Sequence, residues 1–336
     1  MQRQYTGTAG RVENSQVAVY LTYATRRGYA FVDRDLYLPR VWAEDRARCA
    51  AAGIPDDVEF ATKPALARAM IERAVSAAVP VGWVTGDEVY GADPALRKAV
   101  AGHGLGFVLA VAKSHGFTTG IGTRRAIDLA VRLPANAWQR ISAGDGAKGP
   151  RWYDWALVEV ADRALTNSSK TSSARSRDEG ADWLLVRRSI SDGEYAFYRA
   201  HAPRPVPVAD LVRIAGVRWK IEESFAGGKE LTALDEHQVR SWTSWRRWTV
   251  LAMLAHAFLS VLTVQAATVT APTTANADHH DGNGGTPTQP SLIALTRNEI
   301  RRLFTATISI VRSLQRTSPS VTGMRPLPGL LGRSPP

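Results

Sequence analysis

Residues 64–112 alternate between helical and strand patterns, and this alternation constrains the fold more than any other feature. PALARAMIERAVSAA (64–78) and the residues near 94–103 are typical of helices, whereas VPVGWV (79–84) and LGFVLAVA (105–112) are short, apolar and rich in β-branched residues. Short buried strands separated by helices are typical of a mixed sheet with helices packed on it. The sequence therefore predicts an α/β fold.

The segments on either side of this alternation have different characters. Residues 15–39 alternate apolar and polar positions around Arg26-Arg27-Gly28, which predicts a β-hairpin. WYDWALVEV, ADWLLVRRSI and EYAFYRAHA are further predicted strands, and the Ser-rich, basic segment 167–180 between two of them is a predicted mobile loop. We predict six segments: 1–114 as the N-terminal part of the core, 115–205 as a β-rich insertion, 206–270 as the C-terminal helical part of the core, 271–290 as a linker, 291–315 as a basic helix and 316–336 as a disordered tail.

The charge balance indicates a polyanionic partner. The 42 Lys and Arg residues against 31 Asp and Glu residues leave a formal net charge of +11, which suits DNA, RNA or an anionic membrane surface. A solvated basic surface without a specific partner is the alternative. Cys49 is the single cysteine, so an intramolecular disulfide is excluded, and a reducing cytoplasm is expected. MQRQYTGTAGR has no apolar core of a signal peptide.

The apolar segment at residues 248–269 is the feature of the sequence that could contradict the expectation of a soluble protein. WTVLAMLAHAFLSVLTVQAATV is about as long as a membrane span. It contains His256 and Gln265 and follows Arg246-Arg247, so a core helix that is apolar on most faces explains it equally well. We expect a core helix and no membrane partner. His279 and His280, adjacent in the predicted linker, are expected to be solvated and not metal ligands.

Two acidic residues, Asp87 and Glu88, follow the apolar stretch that ends at Val84. A carboxylate at the end of a buried strand lies at the edge of a sheet, where sites are commonly built. The alternative is an acidic turn that only ends the strand, so the functional interpretation needs partners elsewhere in the chain.

A predicted helix beginning near Val208 supplies candidate partners. In RWKIEESFAGGK, Arg218, Glu222 and Lys229 are separated by four and seven residues, so they share one face of a helix with 3.6 residues per turn. An ordinary surface ion pair between Arg218 and Glu222 is the alternative.

The order of these features resembles the DDE transposases of bacterial insertion sequences. A strand-end Asp, a β-rich insertion and a helix with Arg-x3-Glu-x6-Lys are similar in particular to the cut-and-paste branch with the Tyr-Arg-Glu-Lys signature. The resemblance runs from Gln4 to about Leu262 and includes RQYTGTAGRVENSQ, TGDEVYG, RWKIEESFAGGK and LDEHQVRSW.

The resemblance implies an RNase H-like mixed sheet flanked by helices, in which three carboxylates hold two Mg²⁺ ions for phosphodiester chemistry. Asp87 matches the second Asp of the family, and Glu222 matches its Glu. Arg218 and Lys229 match the basic residues that would hold DNA phosphates. Trp219 is a candidate for stacking on an unpaired base, or else a core residue.

The chain departs from the family pattern at two positions. Ala215 occupies the place of the signature Tyr, and no residue matches the first catalytic Asp. Asp33 and Asp35 lie at the end of the second hairpin strand and are not assigned that role. The first core strand and the N-terminal DNA-binding region are therefore expected to be missing. The C-terminal tail lacks the basic helix with which family members commonly end, and a frameshift would explain this difference.

These features predict an N-terminally truncated, cytoplasmic DDE transposase with an incomplete Mg²⁺ site and little or no activity. Its expected partners are the double-stranded DNA of transposon ends and a second copy or an intact transposase. The main alternative is a non-catalytic DNA-binding remnant that modulates an intact transposase. A membrane protein using residues 248–269 and a chain that does not fold are the remaining alternatives.

Overall fold

The structure is a computed structural model that describes residues 2–6, 10–120, 122–146, 149–160, 181–238, 240–270 and 295–317. Two compact units divide the chain, Met1–Phe258 and Leu259–Pro336. The first unit contains every strand described below, and the second contains the end of a long helix and one further helix.

The secondary structure elements are numbered in chain order within these described residues. The strands are β1 (Gln2–Thr6), β2 (Arg11–Ser15), β3 (Val17–Ala24), β4 (Tyr29–Tyr37), β5 (Trp83–Gly86), β6 (Gly106–Val111), β7 (Gly116–Thr119), β8 (Gly122–Arg125), β9 (Gln139–Gly146), β10 (Gly149–Val160), β11 (Ala181–Arg188) and β12 (Tyr195–Ala202). The helices are α1 (Arg40–Ala43), α2 (Arg46–Ala51), α3 (Lys63–Ser76), α4 (Glu88–Gly91), α5 (Pro94–Gly102), α6 (Ala126–Ala130), α7 (Val208–Val217), α8 (Trp219–Thr232), α9 (Trp242–Thr270) and α10 (Arg297–Thr317).

A six-stranded mixed sheet forms the centre of the first unit, in the order β5-β6-β12-β11-β10-β9. β5 runs parallel to β6, and the remaining pairs are antiparallel. β6 is buried along almost its whole length, which explains its near-continuous apolar sequence GFVLAV. β1–β2, β3–β4 and β7–β8 are separate antiparallel pairs.

Helices cover both faces of this sheet. On one face, α7 packs Leu211 and Val212 against a cluster that includes Val108 of β6. On the other face, Leu96 and Val100 of α5 pack against Phe107 and Leu109 of the same strand. Because successive side chains of a strand point to opposite faces, one six-residue strand supplies both halves of the core.

The hairpin β3–β4 is held in place by α3 and by the first part of α9. Phe31 of β4 packs against Met253, and its ring centre lies 5.2 Å from that of the fully buried His256, with the two rings tilted at 45°. The buried Arg34 side chain donates from Nε to Thr249 Oγ1 at 3.0 Å and also donates to the Arg246 carbonyl. These bonds compensate the cost of burying a guanidinium group.

The predicted mixed sheet flanked by helices is confirmed, and its shape is compatible with an RNase H-like core that carries insertions. The hairpin lies at 17–37, and the helices at 64–78 and 94–103 appear as α3 and α5. The β-rich segment is continuous with the core sheet, because β12 pairs with β6 from Phe197↔Val111 to His201↔Phe107. The basic helix predicted at 291–315 corresponds to α10, which begins at Arg297 and ends at Thr317. The predicted loop 167–180, the linker 271–290 and the tail from 318 lie outside the described residues.

Two further differences from the predicted boundaries have a structural cause. β5 begins at Trp83 and ends at Gly86, whereas the predicted strand ended at Val84. Thr85 and Gly86 favour turns, but pairing with Val108 and Leu109 extends the strand through them. The helix expected from Val208 is divided into α7 and α8 at Arg218, whose backbone dihedrals are still helical.

α9 contains the segment 248–269. In the described part of the chain it is the one helix long and apolar enough to cross a membrane, by length and composition alone. Leu251 and Leu254 are each 64% exposed, whereas His256 is fully buried, so the helix has an apolar exposed side and a packed side within the first unit.

Gly216 is the basis of a stability prediction. A Cβ atom at this position of α7 would overlap the carbonyl oxygen of Ala143 in β9. We expect Gly216→Ala to lower the free energy of unfolding by about 2 kcal/mol or more, because the helix must move away from the sheet. Gly102→Ala is the matched control, since a Cβ there meets nothing within 4 Å and the site is also helical. Urea unfolding of both variants checks this, and equal stability of the two would contradict the close packing.

A candidate active-site cavity between β3, β5 and α8

A cavity of about 240 Å³ lies among β3, β5, α3 and α8 in the first unit. Its walls are mostly apolar, and its charged lining residues are Asp87, Arg218, Lys220 and Glu222. Apolar walls with a few convergent polar groups are the usual composition of a ligand site.

Asp87 follows β5 directly and caps the first turn of α4. Its Oδ1 accepts a hydrogen bond from the Val89 backbone N–H at 2.9 Å, and the side chain is exposed. Gly86 allows Tyr90 and Leu109 to pack closely against the end of β5, just before Asp87. A Cβ atom at Gly86 would lie 3.2–3.3 Å from both of those side chains. The cap orients the carboxylate and occupies one of its oxygens.

Glu222 and Arg218 approach the cavity from α8. Glu222 Oε1 lies 3.7 Å from an Arg218 guanidinium nitrogen, and the two side chains are 51% and 30% exposed. A long, exposed ion pair of this kind contributes at most about 1 kcal/mol. A phosphate group can therefore compete with Glu222 for the guanidinium.

Two tyrosines of the wall were not singled out from the sequence. Burial raises the pKa of Tyr20 to about 12, with Arg34 lowering it and Asp235 raising it by smaller amounts. Burial also raises the pKa of Tyr90, and the nearby Asp87 carboxylate adds to this shift. Both phenols therefore stay neutral near pH 7 and can donate hydrogen bonds. The sequence signal that could have identified Tyr90 was its position three residues after Asp87, in a short helix.

Asp33 and Asp35 have another role. Arg73 of α3 binds Asp33 at 2.8 Å and Asp35 at 3.3 Å, and Arg246 of α9 approaches Asp35 at 3.8 Å. Neither carboxylate is among the residues that line the cavity. They hold the hairpin against its helices.

Lys229 and Trp219 lie away from this cavity although they share α8 with Glu222. Lys229 Nζ is 4.0 Å from Asp235 Oδ2. Along the helix axis, Lys229 lies two turns, or roughly 10 Å, from Glu222. Trp219 is 49% exposed, so the alternative of a fully buried core tryptophan does not hold.

Trp219 lines a second cavity of about 320 Å³. Arg151 and Arg187 also line it, and Arg187 lies over the Tyr153 ring at 4.6 Å. Arg218 belongs to the lining of both cavities. The second cavity is therefore basic and aromatic, and it adjoins the residue that pairs with Glu222.

The carboxylates available for a metal ion are few. Within the described residues no group of three or more His, Cys, Asp and Glu side chains could hold a metal, and His279 and His280 lie outside those residues. Asp87 and Glu222 are the acidic residues of the cavity. Mg²⁺ commonly binds one or two carboxylates together with waters and substrate phosphates, so the carboxylates of Asp87 and Glu222 are donors of the type that Mg²⁺ binds.

One family model matches the N-terminal part of the chain, which contains Asp87. Residues 1–119 match the family model described as DDE superfamily endonuclease. The match covers 119 of 336 residues, includes Asp87 and ends before α8, so Arg218, Trp219, Glu222 and Lys229 lie outside it. No curated protein matches the chain. Over residues 1–119 the chain is therefore similar to the DDE superfamily endonucleases.

Two substitutions at Asp87 distinguish its capping of α4 from any other role of this residue. Asp87→Ala is expected to lower the free energy of unfolding by about 0.5–1 kcal/mol because the Val89 N–H loses its acceptor, whereas Asp87→Asn retains the cap and should cost a few tenths. Asp93, which caps α5 by accepting from Leu96 N–H at 2.7 Å, provides the matched pair Asp93→Ala and Asp93→Asn. Thermal unfolding is the measurement, and an Asp87→Asn variant as unstable as Asp87→Ala would contradict a simple capping role.

Proposed function

We propose that this chain is a transposase-type protein of the DDE class, from the cut-and-paste branch, and that its cavity at Asp87 and Glu222 is built for cleaving and joining DNA strands. The observation that carries the proposal is the position of both carboxylates and Arg218 on the wall of one cavity. β5 and α8 are distant in the sequence, so this convergence is a property of the fold. The family match to residues 1–119 supports it.

In this proposal, Asp87 and Glu222 would hold Mg²⁺ with their carboxylates. Bound Mg²⁺ would polarise a phosphodiester and neutralise its charge. Tyr20 and Tyr90 add neutral donors to the wall, and the apolar lining limits the water that reaches the phosphate. Two carboxylates are insufficient for two ions, so we infer that the chain has little or no activity by itself.

The DNA would be held by α8 and the second cavity. Arg218 would bind a phosphate near the reacting one, and Lys229 would bind a phosphate farther along the backbone. The exposed face of Trp219 is available to stack on an unpaired base. The partner would be the double-stranded DNA of transposon ends, bound in the cytoplasm by a dimer or by a mixed complex with an intact transposase.

Metal binding tests the proposed site. We expect Mg²⁺ affinity, measured by calorimetry on the full chain, to fall at least about tenfold in Asp87→Asn and in Glu222→Gln, because each removes a charged ligand. Glu88→Gln is the matched control, since it neutralises the carboxylate next to Asp87 in the sequence and Glu88 does not line the cavity. Equal losses in all three variants would show diffuse electrostatic attraction and contradict the site.

The same variants test the inferred inactivity. Supercoiled DNA that carries transposon ends should remain uncut by the wild-type chain in Mg²⁺ or Mn²⁺. Nicking by the wild-type chain that disappears in Glu222→Gln but persists in Glu88→Gln would overturn the inactivity and support the catalytic assignment.

A second candidate function is non-catalytic DNA binding that modulates an intact transposase. The observation that favours it is the concentration of Arg151, Arg187 and Arg218 around the half-exposed Trp219, in a chain with a net charge of +11. This surface could bind DNA without a complete metal site.

Salt dependence measures that binding. We expect the affinity for duplex DNA, measured by fluorescence anisotropy, to fall steeply with salt, and the log–log slope to decrease by about 1 in Arg218→Gln because one phosphate contact is lost. Arg26→Gln, in the exposed hairpin turn, is the control and should leave the slope unchanged. A wild-type affinity independent of salt would exclude phosphate binding.

A further inference from the structure

One side of α9 is apolar and exposed. α9 is a continuous helix from Trp242 to Thr270. Leu251 and Leu254 are each 64% exposed, Val261 is 54% exposed and Phe258 is 43% exposed. Single exposed apolar residues are ordinary on a soluble protein, whereas a contiguous row of them marks an interaction surface. The row on α9 therefore calls for a partner.

The spacing of this row indicates what kind of partner fits it. The exposed side chains that follow one another along this side of the helix form a row that we call the α9 seam: Arg247, Leu251, Leu254, Phe258, Val261 and Gln265. Its successive members are four, three, four, three and four residues apart. Alternating steps of three and four are the spacing along which two helices pack in a coiled coil. The partner that fits the seam is therefore another helix.

The opposite side of α9 is occupied by the protein itself. Met253 packs with Phe31 of the hairpin, and Thr249 Oγ1 accepts a hydrogen bond from the buried Arg34 guanidinium at 3.0 Å. If α9 crossed a bilayer, this guanidinium would have to enter the hydrocarbon or lose its bonds to the helix. The packing therefore favours a protein partner for the seam over lipid.

The seam is complementary to itself when two copies run in opposite directions. Its members lie two, five and nine residues on either side of position 256, and the matched pairs are Leu254 and Phe258, Leu251 and Val261, and Arg247 and Gln265. In an antiparallel pair centred at this position, each residue of one copy lies opposite its match in the other copy. Four apolar layers then lie in the middle, with a polar layer at each end.

The polar ends of the seam favour this antiparallel direction. The sequence of α9 contains no Asp or Glu. A parallel pair would place Arg247 beside Arg247 of the second copy, with no acidic residue on either helix to offset the repulsion. In the antiparallel pair, Arg247 lies opposite Gln265, whose side-chain oxygen can accept a hydrogen bond from the guanidinium. The two Arg247 residues are then 18 residues, or about 27 Å, apart along the helix axis.

We propose that the α9 seam is a homodimer interface, in which α9 of a second copy packs antiparallel across a two-fold axis near position 256. Such an interface is isologous, because the same surface serves both copies. The proposed function names a dimer without saying which surface forms it. The interface depends on α9 alone and holds whether or not the protein binds metal or DNA.

The first test measures the oligomeric state of the full chain by sedimentation velocity over a range of concentrations, without DNA or divalent metal. We expect the wild type to dimerise and Leu254→Glu to raise the dimer dissociation constant by about tenfold or more, because two unpaired carboxylates are buried near the axis. Val41→Glu is the matched control, since Val41 of α1 is also 64% exposed and lies outside the seam. It should dimerise like the wild type.

The second test determines the direction of the two helices. Leu251→Cys and Val261→Cys are prepared separately, mixed and oxidised mildly. The antiparallel pair brings these two positions together, so we expect mainly the mixed disulfide. Leu251→Cys alone should not cross-link, because the two copies of position 251 are 10 residues, or about 15 Å, apart and a disulfide spans less than about 7 Å between Cα atoms. The wild type is the control, since Cys49 is fully buried.

Three results would overturn the proposal. A wild-type chain that stays monomeric at every concentration, or that is recovered only with membranes, would show that something other than a second copy covers the seam. Equal dimerisation of Leu254→Glu and Val41→Glu would place the interface elsewhere. A disulfide between two Leu251→Cys chains that forms in preference to the mixed one would show a parallel pair. None of these results bears on the metal and DNA tests of the proposed function, which are measured separately.

Discussion

The pairing of β6 with strands on both of its edges is the constraint on which the rest of the structure depends. β6 is parallel to β5 on one side and antiparallel to β12 on the other, and its side chains reach the core on both faces. Apolar residues on both faces leave this strand no solvated side, so it must lie inside a sheet covered by helices. Through β12 it also connects the β-rich segment to the core, and the segment is therefore part of one continuous sheet.

The candidate site is a consequence of the same pairing. The parallel register of β5 with β6 extends the strand to Gly86 and so determines where Asp87 emerges. On the other side, α7 packs on the sheet close to β9, and α8 follows it, carrying Arg218 and Glu222 to the cavity. Both carboxylates line one cavity because β5 and the helix pair α7–α8 are positioned by the same sheet. The weak ion pair between Arg218 and Glu222 leaves the guanidinium available to an anion.

Local patterns predicted several elements correctly. The hairpin β3–β4, the helices α3 and α5 and the strand β6 have strong periodicity and clear turn residues, and each appears close to its predicted position. The sequence prediction was wrong at the end of β5, where pairing overrides the turn preference of Thr85 and Gly86. It also did not identify Tyr20 and Tyr90 as cavity residues, because their role depends on burial by elements distant in the chain.

The sequence alone determined the α/β class, the position of Asp87 after a strand and the common helical face of Arg218, Glu222 and Lys229, because these properties depend on spacing within a few turns or a few residues. The tertiary structure decided which of these residues share a cavity: Asp87, Arg218 and Glu222 line it, whereas Lys229 lies near Asp235 and Trp219 faces a second basic cavity. It also decided that β3 and β5, which are distant in the sequence, line that same cavity. Contacts between distant segments are set by the burial of apolar faces against one another, and no local pattern encodes which faces meet.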